Sequence, residues 1–411
     1  MTPQVKQRIE QIRRGEVPEG YKKTKAGIVP IEWEEVRIGD VLTQRKTLMC
    51  ISEDAPLLSF TIEEGVIDPA DKKSNKRDFL IKDMATKKFA LTEVGDIIFN
   101  PANLKFGAIH RNNLRRGVVS PIYGIFYGEQ DSIFMGYLLR NQRFIDYAKV
   151  YTEGTVEKLK TLKADTFLKL EITIPPIDEQ KKIAEILFVQ DKLIALKEKL
   201  IEEKKRQKNV LMQQLLTGKT RLPGFSGEWK KSKYSKCFDF ISGYPFSSGL
   251  FNENTGMRII RNRDLKSDDQ IIYTTEICST EYRISNGDIL VGMDGDFLPC
   301  IWNKGEALLN QRVGKIVVFK EYNEQFIYYT LFESLKKLQN QKGATTVKHL
   351  ANNDFENMYH IMPCDLYEQI AIAKILCSAD NEIELLQNEL DQEKQKKKAL
   401  MQLLLTGIVR V

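Results

Sequence analysis

Histidine and cysteine are scarce in this 411-residue chain, and each scarcity excludes a class of chemistry. The three histidines, His110, His349 and His360, are too few and too dispersed to build a metal centre, so none is expected. The six cysteines (Cys50, Cys237, Cys278, Cys300, Cys364 and Cys377) include no CxxC pair. That pattern argues against a disulfide framework or a zinc cluster and fits a reducing cytoplasm. Long apolar runs are also missing: none approaches the roughly 18 residues that a membrane span requires. The first residues, MTPQVKQRIEQIRRGE, form a charged amphipathic start rather than an apolar signal core. No GxxxxGK[ST] phosphate loop occurs, so any ATP-driven step falls to another chain.

What is present is ordinary in bulk. Hydrophobic residues make up 42% of the chain and charged residues 29%, with a net charge of +6. Substantial cores can be buried, and nucleic-acid binding is permitted without being demanded, because a basic face can hide inside a near-neutral total.

The organising feature is an internal repeat. EQKKIAEIL at 179–187 answers EQIAIAKIL at 368–376, and LMQQLLTG at 211–218 answers LMQLLLTG at 400–407. Both matches have the same offset of 189, from 179 to 368 and from 211 to 400. The tail Thr406–Val411 likewise echoes Thr217–Leu222. A constant offset means that a whole segment is duplicated.

The repeated segments carry a heptad period. Ile183, Leu187, Ile194, Ile201, Leu211 and Leu215 mark the first seam, interrupted by Gln190, Lys197, Lys204 and Lys208. Ile372, Leu376, Ala379, Ile383, Leu386, Leu390, Leu400 and Leu404 mark the second, interrupted by Glu393 and Lys397. A second apolar row, Ile186, Val189, Leu193, Leu196 and Leu200, widens the first stripe. Asp365 and Glu368 have the spacing of a capping box, and Gly218 and Gly407 are natural helix stops. Each helix of about 40 residues would be about 60 Å long, and antiparallel pairing of the two would cover both seams.

Before each helix lies an α/β-mixed segment, and the two segments share landmarks more than sequence. Glu32-Trp33 answers Glu228-Trp229, and Gly95-Asp96-Ile97-Ile98-Phe99 answers Gly287-Asp288-Ile289-Leu290-Val291. Val118–Pro121 stands where Leu308–Gln311 does, and a glycine-threonine turn (Gly154-Thr155; Gly343 to Thr346) precedes each helix. SIFMGYLLRNQRFIDYA and EQFIYYTLFESLKKLQN read as amphipathic helices, one in each segment. Like frames with unlike loops suggest one task performed on two targets.

These landmarks resemble the specificity subunits of type I restriction–modification enzymes. The resemblance is carried by KTKAGIVPIEWEEVRIGD, the GDII strand, the paired DEQ…IA helix starts, the LMQ(x)LLTG helix ends and the RLPGF(x)GEW junction, in the family's order through almost the whole chain. It implies an α+β protein with two target-recognition domains, each followed by a long helix, in a pseudo-twofold repeat. It also implies that the helices form an antiparallel coiled coil. The corresponding division is an N-terminal helical arm at 1–20, recognition domains at 21–175 and 218–363, and helices at 176–217 and 364–407. The resemblance further implies a non-catalytic role: reading a split, asymmetric site on double-stranded DNA and docking methyltransferase subunits, with restriction subunits in the full complex. S-adenosylmethionine, ATP and magnesium would then belong to those partners.

Candidate DNA contacts follow from residue chemistry. Cations suit phosphates, whereas Arg, Asn and Gln also read purine edges bidentately. In the first segment these are Lys73, Asn75, Lys76, Arg77, Asn100, Asn103, Arg111, Asn112, Arg115 and Arg116. In the second they are Tyr244, Arg258, Arg261, Asn262, Arg263, Gln311 and Arg312. Lys158, Lys160, Lys342 and Lys348, beside the glycine-threonine turns, suit phosphate. For each of these the competing reading is a solvated loop, and for Tyr244 a scaffold role. The helix cations Lys204, Lys205, Arg206, Lys208, Lys394, Lys396, Lys397 and Lys398 read first as solvated faces. Asn100-Pro101-Ala102-Asn103 lacks the second proline and the aromatic of an adenine-methyltransferase motif, and Asp294-Gly295-Asp296 lacks nuclease partners, so both read as turns. Two rivals stand beside DNA recognition. One is an enzyme with an unfamiliar motif, marked by binding of S-adenosylmethionine to the isolated chain. The other is a coiled-coil protein-interaction scaffold without DNA recognition.

Overall fold

The structure, a computed structural model, describes residues 3–24, 27–72, 86–153, 161–295, 297–341 and 350–411. The chain divides into two compact units, residues 1–197 with 389–411 and residues 198–388. Two helices of 39 residues, Ile177–Leu215 and Leu366–Leu404, contribute to both units. Pro175-Pro176 and Pro363 stop the strands before them, and Gly218 and Gly407 end them at φ 69° each, a conformation that glycine adopts without a Cβ clash.

In the first unit, strand Glu34–Arg37 pairs antiparallel with Glu171–Ile174, which brings the two ends of the globular part together. Between them lies a four-stranded sheet in the order Ile109–Arg111, Ile97–Phe99, Gly124–Tyr127, Thr43–Gln44, and a three-stranded sheet of Gly117–Val119, Phe89–Thr92 and Leu48–Met49. Trp33, Phe99, Phe126, Phe134 and Phe167 are buried in one core with Ile183 and Leu187 of the first long helix and Leu404 of the second. Removing that much aromatic surface from water is the main force holding the helices to this unit, at about 1.5–3 kcal/mol for each large side chain. The stretch SIFMGYLLRNQRFIDYA forms two helices rather than one, Ser132–Arg140 and Gln142–Lys149. Asn141 divides them because it sits in extended backbone and its side chain accepts from Arg143 N at 2.9 Å.

The second unit repeats the frame. Strand Trp229–Lys233 pairs antiparallel with Tyr359–Pro363. A four-stranded sheet runs Phe238–Ser242, Val313–Val318, Ile289–Gly292, Pro299–Ile301. A five-stranded sheet adds the parallel pair Met257–Ile260 and Ala307–Leu309. Helix Glu324–Gln341 lies in a core that includes Phe238, Phe326, Phe355, Leu215, Ile372 and Leu376.

The repeated motifs have specific structural duties. Gly95 and Gly287 take φ 97° and 98° at the turn before the GDI strand. The next residue closes that turn from the side: Asp96 accepts from Glu93 N, and Asp288 from Ser285 N, both at 2.8 Å. The Glu-Gln pair at each helix start is buried. Glu179 accepts from Trp33 Nε1 at 3.2 Å and from Arg410 Nε at 2.6 Å. Glu368 accepts from Trp229 Nε1 at 3.3 Å and is gripped by both Nε and Nη2 of Arg221 at 2.7 and 2.9 Å. Arg221 and Arg410 are themselves 189 positions apart. The capping box expected at Asp365 is therefore only half made: Asp365 accepts from Tyr367 N at 2.8 Å, while Glu368 turns inward to Arg221. Gln180 and Gln369 each accept from the residue that opens a domain helix (Asp131 N at 3.2 Å and Asn323 N at 2.9 Å) and donate to the proline carbonyl before their own helix.

The polar interruptions of the heptad seams have partners. In the first unit Gln190 Nε2 donates to Glu393 Oε2 at 2.7 Å, and Lys197 Nζ lies 2.6 Å from Glu389. In the second, Lys204 lies 2.6 Å from Glu382, and Lys208 pairs with Asp380. Ile183, Leu187, Ile201, Ile372, Leu376 and Leu390 are buried. Ile194, Leu211, Ile383, Leu386 and Leu400 are partly so.

Candidate nucleic-acid interface

In each unit the segment after the GDI strand meets a residue that follows the glycine-threonine segment, which itself lies outside the described residues. Leu162 N donates to Pro101 O at 3.0 Å, and Leu350 N donates to Met293 O at 2.8 Å. The same backbone contact thus recurs in both units between segments that differ in sequence. Lys73, Asn75, Lys76, Arg77, Lys158, Lys160, Lys342 and Lys348 lie outside the described residues.

In the first unit Asn100 and Asn103 flank a tight turn. Asn100 Oδ1 accepts from Ala102 N at 3.0 Å, and both Asn100 and Asn103 are half-buried. The next residues add Phe106, an aromatic ring 62% exposed with Lys105 Nζ 5.3 Å from its centre. Sequence reasoning missed Phe106; an aromatic directly beside a lysine in a strand-following loop was the available signal. Arg115 and Arg116 are half exposed and held by Asp68 and Glu93, the latter at 2.7 Å. Surface pairs of this kind contribute about 0–1 kcal/mol, so a phosphate can replace the carboxylate at small cost. Arg111 and Asn112 face the protein. Arg111 Nε donates to Ser132 Oγ at 2.9 Å, and burial lowers the guanidinium's affinity for its proton. Asn112 is fully buried, and its amide spans Thr92 Oγ1, Arg115 O and Leu114 N.

In the second unit four segments converge. Tyr244 N donates to Leu309 O at 2.8 Å, and Gln311 N donates to Tyr244 O at 3.0 Å. Asn310 N donates to Ile260 O, which brings Arg261, Asn262 and Arg263 beside Asn310, Gln311 and Arg312. Met293 N donates to Arg312 O at 3.0 Å, which adds Asp294. Most of these side chains have internal tasks. Arg261 grips Asp264 through Nε and Nη2 at 2.8 and 2.9 Å, and Asn262 Nδ2 donates to Asp294 O at 2.5 Å. Arg258 is 11% exposed, paired with Asp268 and lying 5.0 Å from the Trp302 ring centre. The Lys304 ammonium, and Arg258 after it, hold Asp268 below the usual carboxylate range. Tyr244 packs against Phe246 and Tyr282 with ring centres 4.9 and 5.4 Å away. Arg263 and Gln311 are exposed, and their side chains make no hydrogen bond or ion pair among the described residues. Arg312, 53% exposed, stands 3.5 Å from the Asp294 carboxylate. The sequence cluster thus separates into a rigid backing (Arg258, Arg261, Asn262 and Tyr244) and an outward set (Arg263, Gln311 and Arg312).

Among the described residues no cluster of His, Cys, Asp and Glu could hold a metal ion, and no helix is long and apolar enough to cross a membrane.

Two segments, residues 30–206 and 226–394, match the family described as type I restriction modification DNA specificity domain, and the chain belongs to that family. The chain is 26% identical to the type I restriction enzyme MjaVIII specificity subunit of Methanocaldococcus jannaschii, with 96% of each chain covered. It is 27% identical to the putative MjaX specificity subunit of the same organism, over 96% of this chain and 97% of that one. The solved S subunit of a type I restriction–modification system from M. genitalium shares the fold at a TM-score of 0.58 and 15% identity, covering 90% of this chain and 96% of that one.

Proposed function

We propose that this chain is the DNA-sequence specificity subunit of a type I restriction–modification complex, reads a bipartite asymmetric site and catalyses no step itself. The observation that carries the reading is the duplication. Two units share a frame down to single hydrogen bonds, match the same DNA specificity domain, and differ in the loops that the frame presents. Two unlike readers on one chain call for two unlike half-sites. The domain division proposed is 1–20, 21–175, 176–217, 218–363 and 364–407.

The contacts at Gln190–Glu393 and Lys197–Glu389 in the first unit, and at Lys204–Glu382 and Lys208–Asp380 in the second, support the helices as an antiparallel coiled coil. In every pair a higher number on one helix meets a lower number on the other. Outward apolar side chains such as Val189 (58% exposed), Leu196 (65%) and Leu385 (64%) suit docking of methyltransferase subunits, with restriction subunits joining the larger assembly. S-adenosylmethionine, ATP and magnesium act on those partners, and the chain works in the cytoplasm, where the DNA is. Arg115 and Arg116 in the first domain, and Arg263, Gln311 and Arg312 in the second, are the contacts favoured by exposure, with the half-buried Asn100 and Asn103 beside the strand-following turn as further candidates. Asn and Gln suit adenine, and Arg suits guanine or phosphate.

Co-expression with the methyltransferase subunit, followed by single-molecule mapping of adenine methylation on a plasmid, tests the proposal. A split asymmetric motif that appears only with this chain is the expected result. An assembled, cofactor-supplied complex that methylates nothing would instead favour a protein-binding scaffold.

A further inference from the structure

A polar triad recurs about three helical turns beyond each Glu-Gln pair. In the first unit the Tyr137 hydroxyl donates to Asp191 Oδ2 at 2.6 Å. Lys397 Nζ lies 2.5 Å from Asp191 Oδ1 and 5.5 Å from the centre of the Tyr137 ring. In the second unit the Tyr329 hydroxyl donates to Asp380 Oδ2 at 2.6 Å, and Lys208 Nζ pairs with Asp380 Oδ1, 5.4 Å from the Tyr329 ring centre.

The parts exchange roles between the copies. Asp191 and Lys208 belong to the first long helix, and Asp380 and Lys397 to the second. Both like pairs, Asp191 with Asp380 and Lys208 with Lys397, are 189 positions apart. The tyrosines come from the globular parts, on helices Ser132–Arg140 and Glu324–Gln341, and are 192 apart. The contact therefore survives the change in loop length between the two recognition segments. In each unit it ties three elements together: a domain helix, the long helix that follows that domain, and the other long helix.

Apolar packing of a domain against a helix pair is non-directional and tolerates small rotations. A phenol donating to a carboxylate that also holds an ammonium has one geometry, because charge-assisted hydrogen bonds are short and directional. Burial, reinforced by the Asp191 carboxylate, raises the Tyr137 phenol well above its ordinary range and keeps its proton available for donation.

We infer that Tyr137–Asp191–Lys397 and Tyr329–Asp380–Lys208 are positioning locks that hold each recognition domain at one angle on the helices, and so restrict recognition to one number of base pairs between the half-sites. The inference rests on the DNA-reading function proposed above. One base pair more or less moves a half-site by about 3.4 Å along the duplex and about 35° around it, a change that a rocking domain tolerates and a locked one rejects.

The test uses full-length protein co-expressed with the methyltransferase, and substrates carrying the natural spacer or one base pair more or less. Failure of the wild-type complex to methylate any split motif overturns the function itself, separately from the lock. Given that motif, Tyr137→Phe with Tyr329→Phe, and separately Lys208→Met with Lys397→Met, should keep both half-site sequences. Discrimination against the wrong spacers should fall roughly tenfold, as expected for the loss of one or two charge-assisted hydrogen bonds. Lys208→Arg with Lys397→Arg keeps the ion pairs and should retain the natural spacing. Unchanged discrimination in the Phe pair overturns the lock, as does an equal loss of methylation at every spacing. If the Met pair fails to fold by circular dichroism, the Phe pair, which retains both rings, decides alone.

Discussion

At the scale of single residues, the two described histidines act as struts, His110 buried and His360 half-buried. His110 Nε2 meets Ile62 O at 2.7 Å, and His360 Nε2 meets Leu216 O at 3.0 Å, so each neutral ring donates to a backbone carbonyl. Burial pushes both down to about 4, helped by Arg140 at His110 and by Lys337 at His360. The unfolded chain therefore binds protons that the folded chain refuses between pH 6.5 and about 4. Stability is complete above that window and falls as pH drops through it, by about 1.4 kcal/mol per pH unit for each histidine. His360→Gln should flatten the pH dependence of urea unfolding between about pH 4.5 and 6; an unchanged slope would refute the assignment. Glu179 and Glu368 are buried acids whose oxygens each accept from an arginine and an indole N–H.

At the scale of elements, the seam lysines carry information that apolar residues would not. Ile183 or Leu376 packs against any apolar neighbour, but Lys197 finds its acid at one register only. Lys197→Glu should set two carboxylates against each other and destabilise the first unit by about 1 kcal/mol, and adding Glu389→Lys should recover most of that loss. A double-mutant cycle by denaturant unfolding checks this, and strict additivity would show that the two side chains do not interact. The heptad period, the proline stops and the glycine ends of these helices were legible in the sequence because they depend on local geometry. The break at Asn141 was not, because the apolar spacing continues through it and only the side chain's capping of Arg143 N reveals it.

At the scale of the whole molecule, the proposed function makes the helices a ruler. Inserting one turn, about four residues or about 6 Å, into the long helices should lengthen the recognised spacer by about one or two base pairs. Methylation mapping of the insertion variant checks this. An unchanged spacer would sink the ruler, whatever the half-sites read. The candidate contacts were legible as residue types but not as roles. The run Arg261-Asn262-Arg263 looks uniform in sequence, yet two of its members brace Asp264 and Asp294 while Arg263 is exposed. Burial decides which cation is available, and burial depends on strands far apart in the chain.

By itself the sequence determined the duplication, the two helices, the turns at Gly95 and Gly287 and the family, because periodicity, offset and local turn chemistry are properties of neighbouring residues. Only the tertiary structure decided which polar residues meet: Arg410 with Glu179, Arg221 with Glu368, and Tyr137 and Lys397 with Asp191. Those contacts join positions that chain distance does not relate, and the geometry of each exists only once its own unit has closed around its core.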